Sequence, residues 1–197
     1  MIRLLPAFLS LLLLPALAYP AESAAPLFSA SNVVGAPVTN LQGVAAGTLR
    51  DLAIDASSGA IAYAIVDFKG PAVQNVGLRN VPVAAFRGGL EHGRLALDPA
   101  PYLSWNAQPP ARPWRRVVLA STLFGMPVDD AKGVRYGSIK DVLLGLRDAT
   151  VREATVSLER PAAGEAEVAF SALRFPPESG AAVVQLSLPG DRAARGG

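Results

Sequence analysis

The chain has 197 residues, 51% of them apolar and 17% charged, with 18 Gly, 17 Pro, a single His and no Cys. That apolar share is enough for a packed core, whereas the missing cysteines exclude disulfides, thiolate metal sites and a cysteine nucleophile. The lone His92 excludes sites built on two imidazoles, and a formal charge of +2 leaves no electrostatic footprint for nucleic acid.

Residues 1–18 read as a cleavable export signal. Arg3 opens it, a Leu-rich run follows, and Ala16-Leu17-Ala18 forms a small-x-small cleavage site. The run is shorter than a spanning helix needs and is broken by Pro6 and Pro15. The expectation is an exported protein, periplasmic or secreted, with no transmembrane span once the signal is removed. A segment at 19–26 leads into a first folded unit at 27–103. That unit opens with a hairpin around Asn40-Leu41-Gln42-Gly43, with Asn at the first and Gly at the fourth position of a type I turn. Strands are predicted at 49–54, 60–68, 79–84 and 94–98, with a short helical turn at 83–87. A Pro-rich linker at 104–116 is extended and semi-rigid. It joins a second unit at 117–187, and a small, charged tail at 188–197 is expected to be disordered.

The second unit repeats the first. Residues 30–55 align without a gap on 120–145 at an offset of 90, pairing Ser31 with Ser121, Gly47 with Gly137 and Asp51 with Asp141. Further on, VPVAAFR at 81–87 matches VAFSALR at 168–174 at an offset of 87, so the second copy is shorter in one loop. The same elements therefore recur: a turn at Asp130-Ala131-Lys132-Gly133, strands at 139–144, 150–158, 166–170 and 182–187, and a helical turn at 170–174. Gly47 and Gly137 lie inside strands, where glycine marks a bulge or a close backbone approach. Many short strands with frequent turn signals and no long helical period predict an all-β chain: two tandem small barrels with short helical turns.

The order hydrophobic-Gly-x-Pro-Val, turn, Gly, two residues, Gly-(Ser/Thr)-hydrophobic-basic-Asp-hydrophobic occurs in both copies. With the strand Ala62-Tyr63-Ala64-Ile65-Val66 and the run at 81–87, it resembles the PRC-barrel family. That family is named for the cytoplasmic domain of the photosynthetic reaction-centre H subunit, and also supplies the C-terminal domain of a ribosome maturation factor. The first copy fits the pattern well; the second departs from it over 149–170, which lacks the aromatic-rich strand and the Pro of the Val-Pro pair. The resemblance implies a small β-barrel that binds proteins and stabilises assemblies. It brings no catalytic residue and no cofactor.

The residues give no support for catalysis. His92 sits in a Gly-rich turn and reads as a solvated turn residue rather than a base or ligand paired with Glu91. Asp51 and Asp141, recurring in both copies, read as structural carboxylates that pair with or cap a neighbouring turn. Asp129-Asp130 before Gly133 lacks the spacing and closing Glu of a calcium loop. No catalytic, cofactor-binding or metal-binding residue is assigned.

Two features point to a protein partner. Along 151–159 the second copy alternates, with Arg152, Ala154, Val156 and Leu158 predicted inward and Glu153, Thr155, Ser157 and Glu159 outward. The same register in the first copy turns Ile61, Tyr63 and Ile65 outward, an apolar strip where the second copy is polar. The linker presents Trp105, Trp114, Arg115 and Arg116, the residue types favoured as interface anchors. The bland alternative covers the strip with the linker or the other barrel and tucks each Trp against a barrel end. The functional expectation is a non-enzymatic adaptor or assembly factor of the cell envelope, binding a protein partner. A homodimer through Ile61, Tyr63 and Ile65 is left open. The alternative is a small-ligand-binding or envelope stress-response protein using the cleft between the barrels.

Overall fold

The computed structural model describes residues 26–103, 116–159, 164–176 and 182–184. The predicted export signal at 1–18, the segment before Pro26, Trp105, Trp114, Arg115 and the tail at 188–197 lie outside them. The first copy contains β1 (Phe28–Ser29), a one-turn helix α1 (Ala30–Val33), β2 (Pro37–Thr39), β3 (Ala45–Asp55), β4 (Ile61–Phe68), β5 (Gly77–Val81), a 3-10 turn (Val83–Ala85), β6 (Arg87–Glu91), β7 (Arg94–Ala96) and the short helix α2 (Ala100–Leu103). The second copy contains β8 (Val117–Leu119), α3 (Ala120–Leu123), β9 (Pro127–Asp129), β10 (Arg135–Gly145), β11 (Thr150–Leu158), β12 (Gly164–Ala169), a 3-10 turn (Phe170–Ala172), β13 (Leu173–Arg174) and β14 (Ala182–Val184). No helix among the described residues is long and apolar enough to cross a membrane.

The strands form two barrel-like sheets of the same design. One runs β5-β4-β3-β2-β7-β6 and the other β12-β11-β10-β9-β14-β13. Each opens with the predicted hairpin. In the first, the Gly43 N–H donates to the Asn40 carbonyl at 3.0 Å, and the Asn40 side chain accepts from the Gln42 and Val44 amides. Asp130 repeats both contacts with Lys132 and Val134. Gly47 and Gly137 are explained by close approach: a Cβ on either would press into the backbone carbonyl of the facing strand, Asp67 or Ser157.

Each sheet is completed by a strand from the other copy. Strand β1 pairs antiparallel with β10, Phe28 facing Leu144 and Ser29 facing Leu143. Strand β8 pairs with β3, Val117 facing Asp55 and Leu119 facing Ala53. The turns after β3 and β10 also meet: the Ile61 N–H donates to the Ala149 carbonyl and the Val151 N–H to the Gly59 carbonyl, both at 2.7 Å. One hydrophobic cluster consequently runs from Val38, Leu49 and Phe68 through to Ile139, Val156 and Phe170. Each large side chain sealed into it contributes about 1.5–3 kcal/mol.

The predicted alternation fails at one end of β4 and β11. The pairing skips a residue there, with Ala53 facing Tyr63 but Ile54 facing Ile61, and Leu143 facing Glu153 but Leu144 facing Val151. Such a bulge reverses which face a side chain meets. Ile61 is therefore core, at 5% exposure, instead of surface. Arg152, expected inward, is exposed and pairs with Asp148.

Candidate functional site

The recurring carboxylates hold the two copies together. Asp51 is buried on the outer face of β3 and accepts from the Ser121 N–H at 3.1 Å, from the Ser121 hydroxyl, and from its neighbour's Leu52 N–H at 2.8 Å. Asp141 accepts from the Ser31 N–H at 3.1 Å, the Ser31 hydroxyl at 2.9 Å, the Ser29 hydroxyl and the Val142 N–H. Ser31 and Ser121 lie in the single turns α1 and α3, whose early N–H groups have no partner within the helix. Each Asp thus caps the helix of the opposite copy. Sequence reasoning expected a capped turn nearby in the chain; the exchange of strands places it 70 residues away for Asp51 and 110 for Asp141 instead. The missed signal was that Ser31 and Asp51 recur together as Ser121 and Asp141.

The outer face of the first sheet differs from that of the second. Tyr63 and Ile65 are half-buried on β4, and Leu78 on β5, which the sequence reading did not single out, is 59% exposed. Their counterparts are Glu153, Thr155 and Glu165, matched by strand pairing: Leu78 faces Asp67 as Glu165 faces Ser157. Beside this apolar strip, the buried Asp67 carboxylate is held by Arg50 at 2.8 Å and Lys69 at 3.0 Å. The hydrogen bond from the Arg50 guanidinium, then that from Lys69, keeps the Asp67 carboxyl below its ordinary value of 3.8, against the opposing effect of burial.

Of the linker residues, only Arg116 falls among those described. It is half-buried, its guanidinium donates to the Phe175 carbonyl, and its own carbonyl accepts from the Ala56 N–H at 2.9 Å. That is a tether between the copies. His92 is exposed with φ of 50° at the tip joining β6 to β7, where it is followed by Gly93 at 73°. Among the described residues no group of three His, Asp or Glu side chains is placed to hold a metal ion.

Two concavities adjoin Arg87. One, of about 410 Å³, lies between the copies and is lined by Phe28, Phe86, Leu146, Arg87 and Arg147 with the Gly88-Gly89 backbone. The other, of about 430 Å³, takes in Thr39, Glu91, His92 and Arg94.

No curated protein matches this chain. Residues 26–85 match the model of the PRC-barrel domain family, the segment that builds β1 to β5 and the following 3-10 turn. The chain carries a PRC-barrel domain at residues 26–85, followed by a second barrel of the same strand order.

Proposed function

We propose that this protein is an exported, non-enzymatic adaptor of the cell envelope, and that it docks a partner protein on the outer face of β4 and β5. The observation that carries the reading is the asymmetry of that face. At three matched positions the first barrel presents Tyr63, Ile65 and Leu78, whereas the second presents Glu153, Thr155 and Glu165. The strand framework beneath is the same in both, so folding alone does not require the first set to be apolar. A tyrosine flanked by aliphatics, with Arg50 and Lys69 at its margin, has the composition of an interface centre with a polar rim.

The test writes the second copy's residues into the first, as Tyr63→Glu and Leu78→Glu. In-cell crosslinking of the tagged wild-type chain should yield one dominant envelope partner, lost in both variants while their thermal unfolding stays unchanged. Retention of that partner by both folded variants would refute docking at this face. Unfolding of Tyr63→Glu alone would identify Tyr63 as core and leave the exposed Leu78→Glu variant to decide.

A further inference from the structure

The duplication places two related clefts where one copy's first strand meets the turn after the other copy's long strand. In one, β8 pairs over three residues, Val117 to Leu119, and Arg116 then closes the space by bonding to Phe175. Phe175 packs on the core with its ring 5.3 Å from that of Phe170. In the other, β1 pairs over only Phe28 and Ser29. Pro26 stands where Arg116 stands, and Gly88 stands where Phe175 stands. The correspondence is fixed by pairing, since Arg87 faces Ala96 as Arg174 faces Val183. A proline without a side-chain donor and a glycine without a ring leave this second space open, as the cavity of about 410 Å³.

Its lining combines two chemistries. Phe28, Phe86 and Leu146 supply apolar walls, while the two charged residues are Arg87 from the first copy and Arg147 from the second. Both arginines are exposed, and neither forms an ion pair with a described carboxylate. The first copy has Ser57 at the position matching Arg147, so the pairing of Arg87 with Arg147 has no equivalent in the other cleft. We infer that this cleft binds a small monocarboxylate with an apolar body, its carboxylate held between Arg87 and Arg147 and its chain laid against Phe28 and Phe86. Guanidinium groups match a carboxylate in shape and charge, and the volume lies at the small end of ligand pockets, which run from about 300 to 1,000 Å³. The cleft shares no residue with the face of Tyr63, Ile65 and Leu78, so this inference stands or falls apart from the docking reading.

Octanoate is the probe, with 1-octanol as its neutral counterpart, titrated calorimetrically into the full chain purified after export. Octanoate should bind saturably at one site, at least about tenfold tighter than octanol. Arg87→Ala and Arg147→Ala, both at exposed positions, should each weaken it about tenfold. Pro26→Arg, which copies the filled cleft, should abolish binding with the thermal midpoint unchanged. Equal binding of octanoate and octanol, indifference to both arginine variants, or no saturable binding at millimolar octanoate would each overturn the inference. Should Pro26→Arg destabilise the fold, the two arginine variants decide.

Discussion

The reciprocal Asp–Ser clasp makes the strongest quantitative claim on stability. Asp51→Ala removes a buried carboxylate that serves three donors, two on Ser121 and one on Leu52. Loss of a helix cap costs about 0.5–2 kcal/mol, and leaving the Leu52 amide unsatisfied in its buried strand adds about 1–3 kcal/mol. Ser121 is itself exposed and recovers part of the loss by bonding to water. The expected cost is about 3 kcal/mol. Asp141→Ala should cost about 2 kcal/mol, because Asp141 is only half-buried and water reaches its donors more readily.

Urea unfolding of the single and double variants checks both the size and the wiring. A double-mutant cycle between Asp51→Ala and Ser121→Ala should show coupling of about 1–2 kcal/mol, since they are direct partners across the copies. The cycle between Asp51→Ala and Ser31→Ala should be additive within about 0.5 kcal/mol, because Ser31 belongs to the other clasp. An Asp51→Ala loss below about 1 kcal/mol, or equal coupling to both serines, would refute the assignment of Asp51 as the cap of the second copy's helix.

Two further outcomes follow from the same architecture. Asp67 has a lowered pKa, so its contribution is full above 3.8 and is lost as pH falls through the folded-state value; the stability gap between wild type and Asp67→Asn should therefore be constant near neutrality and close in acid. Cutting the chain within 104–115 should give halves that do not fold alone, because each lacks the strand its sheet borrows, yet combine one to one in size-exclusion chromatography and recover the far-ultraviolet spectrum of the whole.

The sequence carried the local part of this structure and missed the exchange. Turn chemistry at Asn40 and Asp130 is a property of four adjacent residues, so both hairpins were legible, as were β3, β4, β10 and β11. The short elements β1, α1, β8 and α3 were not predicted, because a two-residue strand and a single helical turn have no periodicity to read. Their pairing with the opposite copy depends on contacts between residues more than a hundred positions apart for β1, which no local pattern encodes. The same gap explains Ile61. Alternation read from the chain assumes an unbroken register, and the bulge beside Ala62 breaks it. Tyr63 and Ile65 lie on the outer side of that bulge and keep the orientation expected of them.

Duplication also separates what serves the fold from what is free to serve something else. Where the copies agree, a physical need is visible in both: Gly47 and Gly137 admit a facing carbonyl, and Asp51 and Asp141 cap each other's partner helix. Where they differ, one copy shows that the fold tolerates the other's choice. Glu153 and Glu165 show that an outer face of this sheet can be charged, so Tyr63 and Leu78 are not demanded by packing. Arg116 and Phe175 show that the inter-copy cleft can be closed, so Pro26 and Gly88 leave it open without structural necessity. Both departures that leave surface uncovered fall in the first barrel's half of the molecule. The second barrel supplies the strand β8, the cap from Asp141 and the closed cleft that brace it, and Arg147 is its one contribution to the open cleft's charge. On this division, docking should be lost by changes at Tyr63 and Leu78 at constant stability, whereas changes at the matched Glu153 and Glu165 should leave it intact.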